Sequence, residues 1–286
     1  MQQISNDYWL DSEELDKIKR IMDQASFVTH GMGELLSEEP SNVCNVLELG
    51  CGPGEWALSL AQRYPHLHVT GIDIEEKLIA YAKMQAEAAE LSNVTFQRLS
   101  AFNLPKRNDL PTLDTFPDAS FDLINGRFFG TLVSRELWYE VLQQCYRLLC
   151  PGGILQFTDH APITTNSPAV DEWLELVFLA QLKRGQKRCK SESAIIVQST
   201  LLEEKGFHIV GKKPYAIDFS FGQAAHNSMS TILLREVEEH QTFLSKTMNL
   251  ITMENYEALK ERMLAEFQAP EFKGIWFLCT VKGKRP

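Results

Sequence analysis

Three glycines spaced two residues apart constrain this chain more than anything else in it. Val46-Leu47-Glu48-Leu49 is a short apolar run, Gly50-Cys51-Gly52-Pro53-Gly54 is a turn, and Glu55-Trp56 opens a helical pattern with Ala57, Leu60, Ala61 and Tyr64 on one face. A strand that turns this tightly into a helix needs backbone without side chains, and in open α/β sheets such a turn is where ligands approach. The alternation continues. His68–Asp73 reads as a second strand, Glu75 to Glu90 as a helix with Ile79, Ala82, Ala86 and Ala89 on its apolar face, and Val94–Leu99 as a third strand. Leu104–Pro117 reads as a surface loop and Phe121–Asn125 as a fourth strand buried on both faces. Ser134 caps a helix carrying Leu137, Val141, Cys145 and Leu148, Pro151-Gly152-Gly153 stops it, and Ile154–Asp159 is a fifth strand. Helices between successive strands demand crossover connections, so the class is α/β with a doubly wound parallel sheet.

The last third is less regular. Pro168–Lys183 is an amphipathic helix with Val170, Leu174, Val177, Phe178 and Gln181 on one side, and a basic run, Lys183–Lys190, follows it. A helix from Ser193 to Lys205 ends at Gly206, and Phe207–Phe221 holds one or two strand stretches. Helical patterns over 222–250 and 252–267 precede the β-prone Gly274–Lys282, so a helical insertion between the last two strands is the simplest account. No linker or repeat divides the 286 residues, and a single domain is expected.

Composition narrows the partners. A formal charge of −10 counts against nucleic acid as a partner that the whole surface embraces. Six scattered cysteines show no C-x-x-C and no zinc or iron–sulfur spacing, so reduced thiols and no metal are expected. The opening MQQISNDYWLDSEELDKIKR lacks an apolar leader, and nowhere do eighteen apolar residues run together. A cytoplasmic protein without membrane insertion is the expectation.

Two ligand classes use a glycine turn of this kind. The dinucleotide fingerprint G-x-G-x-x-G needs a third glycine at position 55, where Glu55 would instead face a pyrophosphate, and Pro53 has lost its N–H. The spacing E-x-G-x-G-x-G, by contrast, fits from Glu48 to Gly54 without a miss. At 40–160 the sequence resembles the class I S-adenosylmethionine-dependent methyltransferases, in the branch with ubiquinone/menaquinone-type and small-molecule enzymes. Further matches are Val69-Thr70-Gly71-Ile72-Asp73-Ile74, with its acid nineteen positions after Gly54, Phe116-Pro117-Asp118-Ala119-Ser120-Phe121-Asp122-Leu123-Ile124, and Arg147-Leu148-Leu149-Cys150-Pro151-Gly152-Gly153.

The resemblance implies a mostly parallel, seven-stranded Rossmann-like sheet and S-adenosyl-L-methionine as cofactor. It places Glu48, Gly50, Cys51, Gly52 and Gly54 around the cofactor's methionine and ribose, where an acidic surround suits a sulfonium. Asp73 would accept both ribose hydroxyls, Ile74 would pack on adenine, and Ala101 and Phe102 would border the adenine amino group. Ser100 stands where the family usually has an acid. Asn125 and Arg127 line the cleft after strand four.

On the acceptor side, Phe128 and His160 follow strands four and five and face the cleft, and His160 is the candidate general base. Tyr8 and Trp9 belong to an N-terminal segment, 1–40, expected to form a helical lid over a core at 41–160, with substrate-side helices at 161–286. The Asn/Asp-Pro-Pro-Tyr/Phe pattern of adenine and glutamine N-methylation is absent after strand four. The reading is therefore methyl transfer to an oxygen, nitrogen or carbon of a small organic molecule. The alternatives are an RNA or protein acceptor, favoured by Lys183–Lys190, and a cyclase-like or binding protein that retains the cofactor without transferring methyl. Acceptor identity and oligomeric state are not written in the sequence.

Overall fold

A computed structural model describes residues 12–36, 40, 42–102, 110–128, 135–184 and 194–286. Helix α1 (Ser12–Met32) leads into β1 (Asn45–Leu49), α2 (Glu55–Arg63), β2 (His68–Asp73), α3 (Glu76–Ala88), β3 (Val94–Arg98) and β4 (Phe121–Arg127). Next come α4 (Arg135–Leu148), β5 (Leu149–His160), the two-residue β6 (Thr164–Thr165), α5 (Pro168–Lys183) and α6 (Ala194–Glu204). The order ends with β7 (His208–Asp218), α7 (His226–Thr242), α8 (Met253–Phe267) and β8 (Gly274–Lys284). The sheet order is β3-β2-β1-β4-β5-β8-β6, and β7 pairs the other edge of β8. Strands β1 to β5 are parallel, whereas β8 runs antiparallel to both β5 and β7. The architecture is the doubly wound, mostly parallel α/β sheet expected, with α7 and α8 inserted between the last two long strands.

Each sheet face buries against its own helices. Leu47, Leu49, Ile124, Leu155 and Phe157 pack with Val141, Cys145 and Leu148 of α4 and Leu201 and Leu202 of α6. Val46, Val69 and Leu123 face the other way, onto Trp56, Ala57 and Leu60 of α2 and Ile79 and Ala82 of α3. This is the period-two alternation of strands packed on both sides. A second core joins Val28 of α1 to Val170 and Trp173 of α5, Leu233 and Val237 of α7, Tyr256 and Leu259 of α8, and Trp276 and Leu278 of β8.

Four local readings need correction. Pro151-Gly152-Gly153 does not end α4, which stops at Leu148; these residues form an irregular start to β5, where the pairing with β4 jumps from Phe121↔Leu149 to Leu123↔Ile154. Gly152 takes φ +82°, and its N–H donates to the Arg285 carbonyl at 2.8 Å, so the sheet absorbs the turn. The loop Leu104–Pro117 is not all surface, because Leu110 and Leu113 are buried. Ala89 is exposed at the C-terminal end of α3, and Leu78 takes its place among the buried residues. The pattern over 222–250 is broken at Phe243–Thr247, where the helix widens to a π-turn.

Candidate active site

Side chains of paired residues share a sheet face, so register determines what meets beneath the glycine turn. Glu48 of β1 lies opposite Asn125 of β4, and Asn125 opposite Gln156 of β5. All three are buried, forming a polar row one step inside the C-terminal edge of the sheet. Gln156 donates to Asn125 Oδ1 at 3.2 Å, which leaves Asn125 Nδ2 without a partner. Glu48 Oε2 is also unpartnered, and burial pushes its carboxyl up to about 8 against the opposing pull of Arg127.

Above that row the backbone turns. Gly50, Gly52 and Gly54 all have positive φ, at 63°, 54° and 87°, a region that glycine enters without a steric penalty. A Cβ on Gly54 would lie 2.7 Å from Phe96 Cζ, so this glycine is also fixed by the approach of β3. On Gly52 it would meet only Ile21 of α1, at 3.4 Å. Cys51 is buried under the turn and desolvation raises its thiol well above the ordinary range, which suits packing and not nucleophilic chemistry.

Asp73 closes the turn from β2. Its Oδ2 accepts the Gly52 N–H and its Oδ1 the Glu75 N–H, both at 2.9 Å. Each oxygen keeps a further lone pair for a diol. Burial raises the Asp73 carboxyl, and the two N–H donors oppose that shift. Ile74 is half-buried next to it, its carbonyl held by Arg98 Nε at 3.2 Å. Ser100, at the family's acid position, spends its hydroxyl on the turn: it donates to the Phe102 carbonyl at 2.7 Å and accepts the Phe102 N–H at 3.1 Å. Ala101 and Phe102 line a cavity of about 180 Å³ with Thr112, Leu113, Asp114 and Glu140.

Arg127 connects the turn to α1. Its Nη1 donates to Thr29 Oγ1 at 3.0 Å and its Nη2 lies 3.6 Å from Glu55 Oε2, with both charged groups largely buried. Glu55 and Thr29 were not singled out in the sequence as partners of this arginine, since neither belongs to a motif. The carboxylate of Glu55 stands at the first residue of α2, where a pyrophosphate would otherwise use the helix N-terminus.

Beyond Arg127, four rings converge. Trp276 of β8 lies parallel to Phe128 (centroids 5.9 Å, 12°) and to Phe27 of α1 (6.3 Å, 19°). His160 meets Trp276 at 5.2 Å and Phe128 at 5.5 Å. Its Nδ1 lies 3.0 Å from the Ala161 carbonyl, which fixes Nδ1 as the protonated nitrogen and leaves Nε2 as the acceptor. Trp276 carries no site signal in the sequence, where Ile275-Trp276-Phe277 reads only as strand. Tyr8, Trp9, Ser134 and most of Lys183–Lys190 lie outside the described residues. Of that run, Lys183 donates to the Met248 carbonyl and Arg184 lies over the Phe243 ring. Asp122 accepts the Cys44 and Asn45 N–H groups, His226 lies against the Phe219 carbonyl, and His66 and His68 are exposed at the far end of β2.

The comparisons agree with this geometry. Residues 46–153 match the methyltransferase domain family. A demethylmenaquinone methyltransferase of Listeria welshimeri is 32% identical over 133 residues, 46% of this chain and 49% of that protein. A tRNA N(3)-methylcytidine methyltransferase of Schizosaccharomyces pombe is 28% identical over 163 residues, 56% of this chain and 46% of that protein. The chain thus spans about half the length of the curated relatives it matches. The structure of a provisionally assigned methyltransferase of Bacillus halodurans superposes with a TM-score of 0.53 at 18% identity, covering 92% of this chain and 99% of that one, a likeness of fold. The glycine turn, the acid closing β2 and the strand order agree with the match of residues 46–153 to the methyltransferase domain family.

Proposed function

We propose that this protein binds S-adenosylmethionine and transfers its methyl group to an oxygen, nitrogen or carbon nucleophile of a small organic molecule. The observation that carries the reading is the pair of unpartnered buried atoms, Glu48 Oε2 and Asn125 Nδ2, beneath a turn of three positive-φ glycines. A buried acceptor and a buried donor left open side by side suit a zwitterionic amino-acid group, with its ammonium toward Glu48 and its carboxylate toward Asn125 and Arg127. Asp73 is placed to take a ribose diol, and Ala101 and Phe102 border an adenine. The residues present fit the cofactor. When bound it supplies an electrophilic methyl on a sulfonium, whose electron pair returns to sulfur as S-adenosylhomocysteine leaves. The protein's part is positioning and exclusion of water, with His160 Nε2 taking a proton where the acceptor must lose one. Helix α1, lying over the turn through Ile21 and Thr29, acts as the lid.

The name of the Listeria relative supports a small-molecule acceptor, and that of the Schizosaccharomyces relative supports an RNA one. The small molecule is favoured because Lys183 and Arg184 are engaged in packing and the net charge is −10. Calorimetric titration with S-adenosylmethionine, S-adenosylhomocysteine and NAD tests the reading. Micromolar binding of the first two alone is expected; preference for NAD overturns it. Salt-sensitive binding of tRNA would move the acceptor to RNA.

A further inference from the structure

Arg127 is the last residue of β4 and shares a sheet face with Asn125, two positions earlier. The pairing of β1 with β4 ends at Leu49↔Gly126, so Arg127 stands beside Gly50, the first glycine of the turn. There its charge opposes the burial of Glu48. Two groups hold the guanidinium, and they hold it unequally. Glu55 Oε2 lies 3.6 Å from Nη2, beyond hydrogen-bond length, and makes no hydrogen bond. The closer contact comes from α1, where Thr29 Oγ1 accepts the Nη1 N–H at 3.0 Å across 98 positions of chain. Thr29 is itself aimed. Its hydroxyl donates at 2.9 Å to the Ala25 carbonyl one turn back, so an oxygen lone pair is what it offers to Arg127. Among the described residues, the ion pairs of α1 run elsewhere, Arg20 to Glu239 and Asp23 to Arg235, both on α7. Thr29 is therefore where α1 makes a directed polar contact with a side chain beside the glycine turn.

We propose that Thr29 is a positioning residue that couples α1 to the cofactor: its hydroxyl orients Arg127 toward the cofactor's carboxylate, so that cofactor binding and the docked position of α1 stabilise one another. A guanidinium at the end of a flexible side chain recognises a carboxylate best when its plane is fixed, since two N–H groups must point at the two oxygens together. The bond to Thr29 fixes that plane and engages one N–H, leaving the rest of the fork for the ligand. When α1 lifts away, Arg127 keeps only the looser pair with Glu55. By linkage, the factor by which docking of α1 raises affinity is the factor by which the ligand favours the docked helix. The proposal rests on the S-adenosylmethionine reading, and the choice of ligands separates the two.

The probes are S-adenosylhomocysteine and methylthioadenosine, which shares the adenosine and the thioether but lacks the carboxylate. Both are titrated calorimetrically into wild type, Thr29→Val, Thr29→Ser, Arg127→Gln and the double variant Thr29→Val with Arg127→Gln. Valine keeps the branched shape and removes the hydroxyl; serine keeps the hydroxyl. Thr29→Val is expected to bind S-adenosylhomocysteine about tenfold more weakly than wild type, the effect of one hydrogen bond to a charged group, and to bind methylthioadenosine as wild type does. Thr29→Ser is expected to restore the affinity for S-adenosylhomocysteine. In the Arg127→Gln background, Thr29→Val is expected to cost nothing further. Equal loss for both ligands in Thr29→Val would show a structural role alone and overturns the proposal, as does an unchanged affinity for S-adenosylhomocysteine. A tenfold loss that persists without Arg127 overturns it too, and this cycle decides the matter even where methylthioadenosine binds too weakly to titrate. Failure of both ligands to bind wild type overturns the cofactor reading, and the role of Thr29 with it.

Discussion

At the scale of single residues, Asp73 and Glu48 differ in what opposes their burial. Burial raises both carboxyls, but at Asp73 two backbone N–H groups oppose the shift. Replacing Asp73 by alanine is expected to weaken S-adenosylhomocysteine binding by about 1–3 kcal/mol in calorimetry, through the lost bonds to a charged acceptor. Glu48 is different, because burial holds its carboxyl near 8 while the unfolded chain ionises near 4.5. Between those values the folded state binds the extra proton, so the contribution of Glu48 to stability is greatest below about 4.5 and is lost as pH rises through 8. Glu48→Gln is expected to flatten that slope and to stabilise the free protein at pH 8 by up to about 4 kcal/mol, checked by urea unfolding across the range. An ammonium beside Glu48 reverses its preference, so cofactor binding should release a proton and tighten from pH 6 to 8. Titration in two buffers of different ionisation enthalpy would show it, and Glu48→Gln should abolish the difference.

At the scale of elements, the glycines differ in what their substitution costs. Gly54 has both a positive φ and Phe96 and Ala82 against its Cβ position, whereas Gly222 has a positive φ and open space. Gly54→Ala is expected to destabilise by about 2–4 kcal/mol and Gly222→Ala by about 1 kcal/mol, by denaturant midpoint. Elements were legible where a local signal agreed with burial. β2 was read to the residue, since Leu67 and Val69 alternate with exposed His68 and an acid closes it. For α5, Ser167 accepts the Val170 N–H as its cap and Pro168 occupies the first turn. β5 was misread at its start because a Pro-Gly-Gly turn and a strand irregularity look alike until β4 and Arg285 are beside it. The glycine turn lies within one contiguous motif, so its positive-φ glycines are legible in the sequence. Trp276 is not, because its meaning depends on Phe27, Phe128 and His160, each far away in sequence.

At the scale of the whole molecule, the proposed lid depends on how α1 is fastened. Arg20 pairs with Glu239 at 2.9 Å, Asp23 with Arg235 at 3.9 Å, and Glu34 with Lys213 at 2.6 Å, tying the segment to α7 and β7. These pairs are partly exposed and individually weak, so α1 is expected to open more readily than the sheet beneath it. Hydrogen exchange should find the α1 amides slowed by saturating S-adenosylhomocysteine and those of β1 little changed; equal slowing in both would refute a lid. The order of synthesis adds a different consequence of the sheet order. β8 stands between β5 and β7, so a ribosome must deliver everything from β5 through α8 before those two strands are joined. Until Gly274–Lys284 emerges, β5 presents a bare edge along its whole paired length, open to pairing with a neighbouring nascent chain. Ending translation before residue 274 should therefore yield aggregate and not a smaller folded domain, even though the glycine turn and all of its partners on β1 to β4 would already have been made.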